Sequence, residues 1–231
     1  MARYLKESQM APAAVAWLQG EGLLVKQEFR LPWGICDFVG AALDPDRVQK
    51  RLALKQRETV GPISRVGVLL SLPDVESETG IGLCELEVRF GGLLSEAELR
   101  SELAVLTRRK FVRANGGGLF QKVNGWIPLH KRLVAIELKL DRVDDALWQA
   151  RKNKEATWES YVGLPIAVAE RVYAGKKRME FEAAGVGILG LGGKKAEVIL
   201  PARDCGAGQS VVLEVHCVER FWREGLEAVK H

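Results

Sequence analysis

Residues 133–140, Leu-Val-Ala-Ile-Glu-Leu-Lys-Leu, constrain the fold more than any other stretch of this 231-residue chain. The apolar run reads as a buried strand, yet it carries Glu137 and Lys139. Two residues apart on a strand, these side chains share one face. Burying an unpaired charge is costly, so two charges in such a run predict a strand edge that opens onto a wet cleft, a metal or an ionic partner.

A second carboxylate, Asp37, interrupts the apolar segment Ile35-Cys36-Asp37-Phe38-Val39-Gly40. Around these two strands the pattern is orderly. A helix-like opening spans 9–19 and closes at Gly20 and Gly22. Strands at 25–31 and 35–43 flank the turn Pro32-Trp33-Gly34. After the Glu-x-Lys strand comes a helix over 143–158, with Asp144 and Asp145 in its first turn, where the helix dipole favours acids. A strand over 160–164, a helix over 166–173 and a strand over 186–191 complete an alternating pattern typical of an α/β core. Further on, 195–202 and 211–218 read as paired strands and 219–230 as an amphipathic helix.

An Asp on one strand and Glu-x-Lys on the next, in this order of elements, resembles the PD-(D/E)XK nuclease superfamily with its restriction-endonuclease-like mixed sheet flanked by helices. The resemblance implies Asp37, Glu137, Lys139 and Gln149 as catalytic residues. Gln149 matches the glutamine that some branches place on the following helix, whereas the tyrosine four residues later is Asn153 here. It implies Asp37, Glu137 and the carbonyl of Leu138 as ligands of Mg²⁺ or Mn²⁺. The family's additional acid falls on Glu21, ranked ahead of Glu7 and Glu28. Lys139 would hold or help deprotonate the attacking water, and the products would carry a 5′-phosphate and a 3′-hydroxyl.

One hundred residues separate Asp37 from Glu137, which predicts an insertion. The expected division is a core of 1–48 and 130–231 interrupted by 49–129. Within the insertion, helices at 63–72, 81–90 and 95–112 and a glycine-rich turn at Asn115-Gly116-Gly117-Gly118 resemble a winged helix. Ser95 followed by Glu96 and Glu98 is a helix start signal. Winged helices usually bind DNA through the third helix and the wing. Arg108, Arg109, Lys110, Arg113 and Lys122 would serve there, with Arg151 and Lys152 beside the core. Charge weighs against that reading. Residues 61–129 hold eight Lys or Arg against eight Asp or Glu, and protein interaction or dimerisation is an equal expectation for this segment.

The net charge of +4 and pI near 8.9 suit a protein that meets a polyanion over part of its surface. Each basic cluster reads equally as an ordinary solvated face. Cys36, Cys84, Cys205 and Cys217 lack CxxC spacing, which argues against zinc and for a reducing cytoplasm. No signal peptide or membrane-spanning run is read. Gly185-Val186-Gly187-Ile188-Leu189-Gly190 matches GxGxxG, but it lies within a strand pattern and is read as close strand packing rather than a nucleotide site. Trp126, Trp148 and Trp158 read as core or interface. The sequence therefore points first to a metal-dependent DNA endonuclease, with a homodimer or a protein partner through the insertion left open. A non-catalytic winged-helix DNA-binding regulator and an assembly subunit on the same scaffold are the alternatives.

Overall fold

The computed structural model describes residues 4–77, 79–123, 129–206 and 208–228. The chain is mixed α/β, with a six-stranded mixed sheet and a three-stranded antiparallel sheet. It divides into two compact units, Met1–Ala42 with His130–Glu214 and Leu43–Leu129 with Val215–His231.

The first unit is built on the larger sheet. Its strands are β1 (Leu24–Leu31), β2 (Gly34–Leu43), β6 (His130–Leu138), β7 (Glu159–Pro165), β8 (Gly187–Gly192) and β9 (Lys195–Leu200), in that spatial order. β1 and β2 form an antiparallel hairpin, β6, β7 and β8 run parallel, and β9 returns antiparallel. One face is covered by α1 (Ala11–Gly20), whose Ala13, Ala14 and Leu18 pack on Phe38, Val134, Ile136, Leu138 and Leu189. Against the other lie α6 (Val143–Asn153), α7 (Ile166–Ala174) and α8 (Arg178–Ala184), around Val162, Leu164 and Ile188. Because side chains alternate along β6, Ile136 and Leu138 turn to α1 and Glu137 turns to α6.

The glycines of the GxGxxG match are packing residues. Gly187 and Gly190 sit in β8, and a Cβ at either would strike Tyr161 or Ile166. Gly185, with φ of 63°, caps α8 in the left-handed conformation that glycine adopts without strain.

The second unit contains α2 (Pro45–Ala53), α3 (Ile63–Ser71), β3 (Ile81–Gly82), α4 (Leu83–Arg89), α5 (Glu96–Arg108), β4 (Val112–Ala114) and β5 (Leu119–Lys122). From α3 onward the order is helix, strand, helix, helix, strand, strand, and the sheet closes with β5 between β3 and β4. The segment expected as a helix over 81–90 begins instead as a short strand, because Ile81 and Gly82 pair with Phe120 and Leu119 before α4 starts. Ser95 caps α5 as expected, in a reciprocal box with Glu98. That helix stops at Arg108 rather than 112, where Lys110 takes a φ of 67° and Phe111 turns into the core. The turn between β4 and β5 is tied by Asn115, whose Oδ1 accepts from the backbone N–H of Gly117 and Leu119. The expected wing segment from Asn124 to Pro128 lies outside the described residues.

Two expectations fail beyond Gly208. Residues 211–218 form no strand. They belong to α9 (Val211–Glu219), where Ser210 Oγ accepts from Leu213 N–H and Glu214 accepts from Gly208 N–H. The final helix also starts later than expected, as α10 (Trp222–Ala228), and residues 229–231 lie outside the described residues. Nor does 130–231 return wholly to the core. Val218 and Trp222 bury against Val48 and Leu129, so the chain from Val215 onward belongs with the second unit. Arg51, only 1 % exposed, fastens it there: its guanidinium donates to Glu219 at 2.5 and 3.0 Å and lies over the Trp222 ring at 3.9 Å.

Candidate active site

β2 and β6 are neighbours in the sheet, and this brings together residues a hundred positions apart. The Asp37 carboxylate accepts the backbone N–H of Leu138 at 2.7 Å, so the side chain of one strand completes the hydrogen bonding of the next. Opposite Asp37 the ladder skips a pair. Gln27 faces Phe38 and Phe29 faces Cys36, while Glu28 between them takes a φ of 48°. A left-handed glutamate is uncommon backbone, of the kind that concentrates at functional sites.

Glu137 is buried, 2 % exposed, with Asn153 of α6 donating to its Oε1 at 2.7 Å. Asn153 in turn accepts from the Trp33 indole at 3.0 Å, and its amide also reaches the Cys36 thiol. Burial raises the Glu137 carboxyl to about 7. The Asn153 amide opposes the rise, Asp37 adds to it by repulsion and Lys139 counters it by attraction. Asp37 is also raised, again chiefly by burial, against the Leu138 N–H and the Lys139 charge. The Cys36 thiol is pushed up too, by burial first and then by the Glu137 charge, so it stays protonated and acts as a donor to the carbonyls of Phe38 and Ile136.

Lys139 is 9 % exposed. Its ammonium donates to the Leu138 carbonyl at 3.1 Å and stands 3.7 Å from Glu7, in the 3₁₀ turn ahead of α1. Glu7 and Glu28 both add negative potential at Asp37. Of the three candidate acids, Glu7 is the one that stands beside Lys139. Glu21 pairs with Arg132 at 2.7 Å, and Arg132 also holds Glu159. Arg132 lies five residues before Glu137 on β6, about 17 Å away at strand rise. Sequence position favoured Glu21 because it closes the opening helix. Only the direction of α1 across the sheet selects Glu7.

The Gln149 Oε1 is buried and has no hydrogen-bond partner among the described residues, and Asn153, one helical turn on, is the α6 residue that donates to Glu137. The signal for Asn153 lay in its spacing from Gln149, where the family pattern places tyrosine.

Among the described residues no group of three or more His, Cys, Asp and Glu is placed to hold a metal ion. Magnesium asks for less, often one or two carboxylates with the remaining positions taken by water and substrate oxygens. The donor chemistry here fits such a cation. Asp37 and Glu137 are hard oxygen donors, both drawn toward the protonated form by burial and short of positive charge apart from Lys139.

The expected nucleic-acid contacts separate into two groups. Arg108, Lys110, Arg113 and Arg151 are exposed. Arg109 is instead bound to Glu58 and to the carbonyl of Thr59, Lys122 donates to the carbonyl of Leu72 at 2.7 Å, and Lys152 pairs with Glu155. The exposed Arg108 lines a groove of about 820 Å³ between α4, α5 and β5, whose rim also bears Glu87 and Glu96. Trp148, expected in the core or at an interface, is 58 % exposed on α6.

No helix among the described residues is long and apolar enough to cross a membrane. No family model matches the chain, and no curated protein matches it. Among solved structures, the SPO1766 protein of unknown function from Silicibacter pomeroyi aligns over 99 % of this chain and 92 % of its own, with 11 % identity and a TM-score of 0.43. A likeness at that level carries no argument about activity.

Proposed function

We propose that this protein is a metal-dependent nuclease that hydrolyses phosphodiester bonds in DNA at the Asp37, Glu137 and Lys139 site. The observation that carries the reading is the meeting of these groups at one point between β2 and β6, Asp37 on the Leu138 N–H and Lys139 beside it, with a buried Glu137 that feels the charges of both Asp37 and Lys139. A structural ion pair would leave the two carboxylates neutralised. Here both are raised, chiefly by burial, and a divalent cation shared by the two carboxylates would favour their ionised forms.

Asp37 and Glu137 would hold a divalent ion, which when bound lowers the pKa of a water and offsets charge on the phosphate. The ammonium of Lys139 orients the attacking water and lends positive charge as negative charge develops on the phosphoryl oxygens. Water oxygen bonds to phosphorus, the bond from phosphorus to the 3′ oxygen breaks, and the proton given up by the water balances the one taken by the leaving oxygen. Glu7 fixes the Lys139 side chain, and Asn153, itself held by Trp33, fixes Glu137.

The test is cleavage of supercoiled plasmid and of single- and double-stranded oligonucleotides with Mg²⁺, Mn²⁺ or EDTA, comparing wild type with Lys139→Ala. Metal-dependent nicking that disappears in the variant is expected. Cleavage retained by a folded Lys139→Ala protein would remove the site. Salt-sensitive DNA binding without turnover would favour the binding regulator, which is supported only by the helix and strand order of the second unit.

A further inference from the structure

We propose that the cleft on the outer face of α6 is a subsite for one nucleotide of a single-stranded nucleic acid, its base stacked on Trp148 and its phosphate held by Arg151. The proposal rests on the nuclease reading of the site that α6 also serves through Asn153.

Trp148, Arg151 and Lys152 stand at i, i+3 and i+4 and so share one helix face. With Glu155 and Gln209 they line a cleft of about 380 Å³. The far wall is fixed to the helix end, since Gln209 N–H donates to the Lys154 carbonyl and Ser210 N–H to that of Glu155. Lone exposed apolar residues are ordinary, but this indole is more than half exposed beside two cations in a formed cleft.

The chemistry selects the ligand. Arg151 makes no ion pair among the described residues, so its guanidinium fork is available to a phosphate, while Lys152 keeps its contact with Glu155 at 3.0 Å. An indole beside a guanidinium matches a base beside its phosphate. A duplex hides its base faces, so stacking on Trp148 requires an unpaired base. The cavity lies near the lower end of the volume range of small-molecule sites, roughly 300–1,000 Å³, enough for one nucleotide.

The experiment measures binding without cleavage. Fluorescein-labelled oligothymidylate and a duplex of equal length are titrated by anisotropy with the full chain in EDTA, for wild type, Trp148→Ala, Trp148→Phe and Arg151→Ala. Trp148→Ala should weaken single-strand binding about fivefold to a hundredfold, the range for one lost base stack. Trp148→Phe should restore most of the affinity, and duplex binding should not change. Arg151→Ala should reduce the slope of log affinity against log salt by about 0.7. Equal single-strand affinity in wild type and Trp148→Ala would overturn the subsite, as would displacement of the oligonucleotide by oligoglutamate equally well from both. The two readings fail separately. Weaker binding in Trp148→Ala with no metal-dependent cleavage by wild type would refute the nuclease and keep the subsite, whereas Lys139-dependent cleavage with binding unaffected by Trp148→Ala would refute the subsite alone.

Discussion

Replacing Glu137 by glutamine should make the metal-free protein more stable, by an amount that depends on pH. In the unfolded chain this carboxyl loses its proton near pH 4.5, whereas in the folded chain it keeps it until about 7. Between those values the folded state binds more protons than the unfolded one, so stability falls as pH rises through the window. Each tenfold change in proton affinity is worth about 1.4 kcal/mol, which makes the loss about 3 kcal/mol once pH exceeds 7. The substituted side chain would still offer an oxygen to the Asn153 amide and would carry no charge toward Asp37. Urea unfolding in EDTA, followed by far-ultraviolet circular dichroism, should show nearly equal midpoints for the two proteins at pH 5. At pH 8 the variant should be ahead by about 1–3 M, given typical slopes of about 1–3 kcal/mol per molar urea. Millimolar Mg²⁺ should narrow that gap by stabilising only the wild type. A variant less stable than wild type at pH 8, or a gap of the same size at pH 5, would refute the view that Glu137 is an undercompensated buried charge.

Glu7→Gln should lower metal-dependent cleavage roughly ten- to a hundredfold through misplacement of Lys139, while Glu21→Gln leaves it unchanged; the reverse ranking in a plasmid nicking assay would return the additional acid to Glu21. Glu219→Ala should destabilise the second unit by about 3–5 kcal/mol because it leaves Arg51 buried without its carboxylate, and the double change Arg51→Met with Glu219→Leu should recover most of that, both read by hydrogen exchange at α2 and α10. Burial depresses the His216 proton affinity, so the unfolded chain takes up a proton first and stability should decline as pH falls below about 6.5. A His216→Gln protein should show a smaller drop in urea midpoint between pH 7.5 and 5.5, and an equal drop would exclude the imidazole as its source.

The strands and helices of the first unit were legible because their apolar patterns are long and their turns carry glycine and proline. Asp37 and the Glu-x-Lys pair were legible for the opposite reason: charges in apolar strands contradict their surroundings. What the sequence concealed depended on direction in space. Glu7, Glu21 and Glu28 are equivalent as letters, and only the run of α1 across β6 puts Glu7 at Lys139 and Glu21 at Arg132. Residues 211–218 carry four valines, a strand-like composition, yet they are helical. Half of that stretch is buried by tertiary contact, which outweighs local propensity. The Arg51 and Glu219 clamp spans 168 positions and has no local signature at all.

That separation governs how the molecule is made. Neither unit is a continuous piece of chain, since the sheet of the first needs residues on both sides of the second, and the second is completed by residues beyond the first. A ribosome adding about 5–20 residues per second would release β1 and β2 many seconds before β6 arrives to cover them. Their hairpin must wait with an open edge through synthesis of the whole insertion, and α2 must wait longer still for Glu219 to neutralise Arg51. Each unit can therefore close only once its last segment has been made, up to Glu214 for the first and beyond Val215 for the second, and cutting the chain between segments would leave both incomplete.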